Sequence, residues 1–84
     1  MKKRIVIADD HRLVIEGIAG LLISTGEYEI VGRAGNGAEA LRLIRRLKPD
    51  LAVLDITMPE MDGIEMIRRI RRSGGEPRVI VISA

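Results

Sequence analysis

The 84-residue sequence contains no cysteine, no tryptophan and no phenylalanine, and Tyr28 is its one tyrosine. The absence of cysteine excludes disulfides and thiolate metal ligands. A core must therefore be built from aliphatic side chains and methionine. No apolar run approaches the roughly 20 residues of a membrane span. The basic start, MKKR, precedes only four apolar residues, which are too few for a signal peptide. We therefore expect a soluble, cytoplasmic chain without a membrane partner.

The composition that remains is typical of one globular domain. Hydrophobic residues make up 46% of the sequence and charged residues 31%, a balance that argues against disorder. The formal net charge is only +2, and the arginines concentrate in residues 42–48 and 68–72. Without aromatic side chains beside them, such basic runs are more often solvated helix faces than nucleic-acid sites. We therefore expect no DNA contact from these residues.

The sequence alternates predicted strands with predicted helices. Apolar runs at Ile5–Ala8, Leu51–Leu54 and Val79–Ile82 favour strands buried on both faces, and the glycine-broken run 28–34 favours an outer strand. Because parallel strands need crossover connections, this order predicts an α/β fold with an open parallel sheet. The helical spacing between the strands predicts three buried helix faces, formed by Val14, Ile18, Leu21 and Leu22, by Ala40, Leu41, Ile44 and Leu47, and by Ile64, Ile67 and Ile70.

Capping residues predict where the helices begin and end. Asn36 and Asp62 each stand three residues before a glutamate, which is the spacing of a capping box. Gly26, Pro49 and Gly74 then supply the expected stops after the three helices.

Polar residues follow three of the buried strands. Asp9 and Asp10 end the first, Asp55 ends the third and Ser83 follows the fourth. Since α/β sheets bind ligands at the carboxyl ends of their strands, we expect the aspartates to meet if the first and third strands are neighbours. A divalent cation would relieve their repulsion, and carboxylate oxygens favour Mg²⁺, whereas the lone His11 is a poor case for a ligand. The alternative is that Asp10 caps the first helix and the other carboxylates merely end strands.

The segments VIADDH, LDITMPEMDG and VIVISA resemble the receiver domain of two-component response regulators. The stretches DDHRLVIEGIAGLL, VGRAGNGAEAL and MPEMDGIE are particularly similar to the NarL/FixJ branch. This resemblance extends over residues 1–84. It implies a flavodoxin-like (CheY-like) doubly wound parallel sheet, here an incomplete (βα)3β fragment that forms the N-terminal portion of a receiver.

The resemblance also assigns chemical roles to residues at the strand ends. It implies that Asp55 is the phosphoacceptor, a carboxylate nucleophile that takes a phosphoryl group from a sensor histidine kinase. Asp10 and Asp55 would bind Mg²⁺ directly, Thr57 would offer its backbone carbonyl, and Asp9 would act through metal-bound water. The chain would then be a signalling phosphoacceptor and not an enzyme in the ordinary sense.

Further positions match the switch and loop residues of the same family. Ser83 corresponds to the switch hydroxyl that turns toward the phosphate, and Ala84 to the small residue after it. Met58 and Pro59 would shape the loop after the third strand, and Gly63 would let the next helix begin tightly.

The resemblance also predicts what these residues do not include. A complete receiver continues through a fourth helix, a fifth strand with a phosphate-binding lysine and a fifth helix, and in this branch it usually precedes a DNA-binding output domain. We therefore expect a receiver truncated after the fourth strand, whose exposed edge favours a homodimer or a domain-swapped assembly, and DNA binding only through an output domain outside these residues. The alternatives are an assembly fragment that is not phosphorylated and, less favoured because Thr57 replaces an expected aspartate, a haloacid-dehalogenase-like phosphotransferase.

Overall fold

The computed structural model describes residues 2–55, 63–72 and 78–82. Within these residues, four strands alternate with three helices in the order predicted from the sequence. The elements are β1 (Lys3–Ala8), α1 (Arg12–Ser24), β2 (Tyr28–Ala34), α2 (Gly37–Leu47), β3 (Leu51–Asp55), α3 (Gly63–Arg72) and β4 (Arg78–Ile82).

The strands form one parallel sheet in the order β2-β1-β3-β4. The glycine-broken strand β2 is an edge strand, as predicted. Strands β1 and β3 are neighbours, which is the condition that the site prediction required. The chain steps to one side of β1 for β2 and to the other side for β3, so the reversal of strand order falls between β1 and β3, where α/β sheets place their ligands.

The core lies on both faces of the sheet, and β1 contributes to both. Its last four residues, Ile5–Ala8, are each 0% exposed, so the prediction of a strand buried on both faces is confirmed. Because side chains alternate along a strand, Val6 and Ala8 join the cluster beneath α2 and α3, whereas Ile5 and Ile7 join the cluster beneath α1. Helices on both faces make the sheet doubly wound.

Helix α1 buries a different stripe from the one predicted. Ile15 and Ala19 are its buried residues, and Ile18 and Leu22 pack partly against the same cluster. Two of the predicted core positions are exposed instead, among the exposed large hydrophobics Leu13, Val14, Leu21 and Ile23. The prediction for Val14 and Leu21 was therefore wrong. Both stripes obey the spacing of a helix, and the contacts of α1 with β1 and β2 select the one that includes Ile15.

The predicted ends of the first two helices are confirmed. The Asn36 side chain accepts a hydrogen bond from the Glu39 backbone N–H at 2.8 Å, which is the bond expected of a helix N-cap. Helix α2 ends at Leu47, and its C-cap residue Lys48 has a left-handed backbone (φ 48°, ψ 62°) just before Pro49. Gly26 has a φ of 76° just after the C-cap of α1, where a glycine avoids the strain that other residues meet.

Helix α3 begins at Gly63 and buries Met66 and Ile70, both 0% exposed. Ile70 belongs to the predicted stripe, and Ile67 is half-buried. Met66 was missed because the stripe was drawn through isoleucines alone. Three other predictions for this helix lie outside the described part of the chain: the cap Asp62, the packing of the Ile64 side chain and the stop at Gly74.

Gly32 marks an irregularity in the pairing of β1 with β2. Ile5 pairs with Ile30 but Val6 pairs with Gly32, so one residue of β2 is skipped, as in a β-bulge. A Cβ atom at Gly32 would lie 3.3 Å from methyl carbons of Leu43 and Leu47. The missing side chain therefore lets α2 pack closely on the edge of the sheet.

Candidate functional site

The predicted site lies where β1 and β3 end side by side. Ala8 pairs with Leu54, so the next residues, Asp9 and Asp55, lie at the same level of the sheet, where Asp55 still pairs with Ile82 of β4. Both residues are only 3% exposed. The backbone N–H of Asp9 donates to the carbonyl of Ala34 at 3.1 Å, which ties this end of β1 to β2 as well. The strand pairing thus holds two buried carboxylates next to each other.

Asp10 and His11 complete a compact group of polar side chains. One carboxylate oxygen from each of Asp9, Asp10 and Asp55 and a ring nitrogen of His11 all lie within 4.8 Å of one another. The Asp10 side chain is 31% exposed and the His11 side chain 64% exposed, so the group opens to solvent on their side. The prediction that the three aspartates meet is confirmed, and the structure adds His11 to them.

His11 contacts two of the carboxylates. Its backbone N–H donates to Asp9 Oδ1 at 2.8 Å, and its ring Nδ1 lies 3.2 Å from the same oxygen and 2.8 Å from Asp10 Oδ1. The hydrogen bond to Asp9 and the charge of Asp10 raise the pKa of His11 above its ordinary value of 6.5. A lone exposed histidine was not a predicted ligand, although the place of His11 directly after Asp10 was a signal of this proximity.

The alternative role for Asp10 as a helix cap does not match the structure. The N-cap of α1 is His11, with an extended backbone and no capping bond from its side chain. The Asp10 carboxylate instead lies 2.8 Å from the His11 ring nitrogen.

The donor set fits a hard divalent cation. Three carboxylates at one strand edge, two of them buried, repel one another unless a positive charge lies among them. Oxygen ligands of this kind suit Mg²⁺. Of the other predicted site residues, Gly63 is the first residue of α3. Thr57, Met58, Pro59, Ser83 and Ala84 lie outside the described residues.

A parallel doubly wound sheet with aspartates clustered at its switch point is a flavodoxin-like α/β domain with a candidate cation site. Residues 5–84 match the response regulator receiver domain, and the chain belongs to that family. This confirms the resemblance and the flavodoxin-like fold inferred from the sequence.

Individual relatives of the chain are bacterial regulatory and chemotaxis proteins. It is 42% identical over 81 residues to the uncharacterized transcriptional regulatory protein YhcZ of Bacillus subtilis, covering 96% of this chain and 38% of that protein. It is 40% identical to the chemotaxis protein CheY of Thermotoga maritima, covering 100% of this chain and 69% of CheY. The receiver domain structure of NarL from Mycobacterium tuberculosis superposes with a TM-score of 0.95 at 43% identity, covering 99% of this chain and 67% of that one.

The chain therefore spans about two fifths of YhcZ and two thirds of the NarL receiver structure. Among its described residues, no helix is both long enough and apolar enough to cross a bilayer.

Proposed function

We propose that this receiver domain accepts a phosphoryl group on Asp55, with Mg²⁺ held beside it by Asp9, Asp10 and Asp55. The observation that carries the proposal is the convergence of these three carboxylates within 4.8 Å at the ends of the adjacent strands β1 and β3. Of the three, Asp55 is the one inside a strand, since it ends β3 and pairs with Ile82 of β4, so its backbone is fixed by the sheet. A nucleophile needs this kind of fixed position.

The transfer is an in-line displacement on phosphorus. A carboxylate oxygen of Asp55 forms the new P–O bond while the P–N bond of a phosphohistidine breaks, and the electron pair of that bond returns to the imidazole. When bound, Mg²⁺ offsets the negative charge of the carboxylates and of the phosphoryl oxygens. Asp10 would bind the ion directly and Asp9 through water. His11 holds Asp9 and Asp10 together through its 2.8 Å contacts.

Residues outside the described part complete the proposed site. Thr57 would add its backbone carbonyl to the metal ligands. Ser83 would turn its hydroxyl toward the phosphorylated Asp55, with the small Ala84 leaving room for that movement. Met58 and Pro59 would shape the loop that leads to Gly63 at the start of α3. Family membership supports these five assignments.

The partner proposed for the phosphoryl transfer is a sensor histidine kinase. In a longer protein of the NarL branch, the receiver would control a DNA-binding output domain, which fits the regulator names of its relatives. The family also supports a cytoplasmic location. Because the phosphoryl group stays on Asp55, each chain accepts one phosphoryl group and acts as a switch. Hydrolysis of the acyl phosphate is at most slow. A haloacid-dehalogenase-like phosphotransferase would instead turn over.

We also propose that β4 pairs with a further strand. In the described sheet it has a neighbour, β3, on one side, and its Ile80 side chain is 49% exposed. An open edge with apolar side chains favours strand addition, from a second copy, a swapped segment or the remaining part of the receiver. Sedimentation at micromolar concentration would show a dimer. A stably folded monomer under those conditions would contradict this assembly.

The mass of the intact protein tests the phosphoacceptor proposal. The chain is incubated with Mg²⁺ and acetyl phosphate, alongside Asp55→Asn and the control Glu29→Gln, which removes an exposed carboxylate from β2. We expect one phosphoryl addition in the wild type and in Glu29→Gln, and none in Asp55→Asn. Addition to Asp55→Asn would refute the assignment.

The same samples separate the alternatives. Continuous release of phosphate from an ester substrate would favour the phosphotransferase. A folded wild-type protein that neither gains a phosphoryl group nor binds Mg²⁺ would favour an assembly fragment that has kept the receiver scaffold and lost its chemistry.

A further inference from the structure

A second charged surface lies away from the acidic site, between α2 and α3. Both helices pack on the same face of the sheet, where they bury Leu41 and Ile44 from α2 and Met66 and Ile70 from α3. Their outer sides border a groove of about 530 Å³. Ala38, Leu41, Arg42, Arg45, Arg46 and Arg69 line this groove, which we call the arginine groove.

The arginine groove concentrates positive charge from both basic runs of the sequence. Four of its six lining residues are arginines and none is acidic. Within residues 2–55, 63–72 and 78–82, no ion pair or side-chain hydrogen bond involves Arg42, Arg45 or Arg46. On the α3 side of the groove, the Arg69 Nε donates to Glu65 Oε1 of the same helix at 3.2 Å, an ion pair that orients this guanidinium. Sequence analysis took each basic run for a solvated helix face, whereas the fold brings the two runs together.

The stability of α2 explains only some of the arginines that line the groove. Arg45 and Arg46 lie in the last turn of α2, where positive side chains interact favourably with the helix dipole. Arg42 stands one turn earlier, and like charges three and four residues apart on a helix repel. An anion placed among the three guanidiniums would remove this repulsion.

We propose that the arginine groove binds the oligophosphate chain of a nucleotide or of free inorganic polyphosphate. Guanidinium groups bind phosphate through paired hydrogen bonds, and their weak hydration lowers the cost of that contact. A volume of about 530 Å³ is in the range of small-molecule sites.

The compactness of the charge favours an oligophosphate over an acidic peptide. The Cα atoms of Arg42 and Arg46 are separated by about 6 Å along the helix axis. On a helical peptide, neighbouring carboxylate residues have Cβ atoms about 5–6 Å apart, so only one or two carboxylates fit beside the segment from Arg42 to Arg46. Linked phosphoryl groups share bridging oxygens and bring more negative charge into the same space. Because the lining contains no aromatic side chain on which a base could stack, the phosphate chain supplies the main contacts.

Calorimetric titration of the full chain in buffer without Mg²⁺ tests the proposal, because the acidic site then repels anions. We expect saturable binding whose affinity rises from phosphate to pyrophosphate to tripolyphosphate. Arg42→Gln and Arg45→Gln should each weaken tripolyphosphate binding by about fivefold, the upper range for an exposed ion pair. The control Arg72→Gln removes an exposed arginine of α3 outside the groove and should change it by less than about twofold. Circular dichroism confirms that each variant is folded.

Titration with ATP in parallel separates the two sources. Tighter binding of ATP than of tripolyphosphate would assign the groove to nucleotides, and equal or weaker binding would assign it to free polyphosphate. Three results would overturn the proposal: no saturable binding, an equal loss in Arg72→Gln, or equally tight binding of a tetraglutamate peptide, which would indicate an acidic polypeptide.

Discussion

Replacing Asp9 by asparagine should stabilise the protein in the absence of Mg²⁺. Asp9 is 3% exposed, and one of its carboxylate oxygens lies within 4.8 Å of carboxylate oxygens of Asp10 and Asp55. Asparagine has nearly the same shape and keeps an oxygen that can accept the 2.8 Å bond from the His11 backbone. Its new amide N–H₂ group can donate to a neighbouring carboxylate, so a repulsion is replaced by a hydrogen bond.

The expected magnitude follows from the geometry. At an effective dielectric constant of about 20, two unit charges 4.8 Å apart repel by about 3.5 kcal/mol. Removing the charge of Asp9 gains less than this repulsion, for two reasons. Solvent screens Asp10, whose side chain is 31% exposed, and the attraction between Asp9 and the His11 ring is lost. We therefore expect the free energy of unfolding to rise by about 1–2 kcal/mol, which corresponds to a rise in Tm of roughly 4–16 °C for a domain of this size.

Urea unfolding followed by circular dichroism measures this change, because the chain has no tryptophan. Adding Mg²⁺ should stabilise the wild type more than Asp9→Asn, since the ion binds the folded carboxylates and not the unfolded chain. Glu29→Gln removes an exposed charge from β2 and serves as the control. If Asp9→Asn is less stable than the wild type without Mg²⁺, repulsion among the aspartates does not dominate this site and the reasoning fails.

Three further predictions concern single positions. Gly32→Val should lower the free energy of unfolding by about 1–3 kcal/mol in urea titrations, because its Cβ would meet α2 side chains at 3.3 Å; an unchanged midpoint would show that α2 can move. Lys48→Gly should raise the free energy of unfolding by about 0.5–1 kcal/mol, because glycine adopts the left-handed backbone of this position without strain. A loss of stability would contradict this. The only histidine, His11, should titrate above 6.5 by NMR and move back toward that value in Asp9→Asn; its pairing stabilises the fold below about pH 6.5 and is lost as the pH rises through the raised pKa.

The two proposed ligand sites differ in sign and in position. The aspartates lie at the carboxyl ends of β1 and β3, whereas the arginine groove runs along the outer sides of α2 and α3. The formal net charge of +2 hides this separation, because it sums a local cluster of carboxylates and a local cluster of guanidiniums.

The residues themselves determined the elements and the location of the acidic site. Continuous apolar runs such as Ile5–Ala8 mark buried strands, since both of their faces must be apolar, and Asn36 marks a helix start through a bond to a backbone three residues away. The aspartates at the ends of such strands were found for the same reason. Parallel strands share one carboxyl edge whatever their loops do.

Only the tertiary structure decided which of several equivalent patterns is used. On α1, stripes through Val14 and through Ile15 have the same helical spacing, and contact with the sheet selects Ile15. The position of Arg42 and Arg69 along one groove depends on how α2 packs beside α3. Periodicity is a local property of the chain, whereas the choice of face and partner is made by contacts between residues that are distant in the sequence.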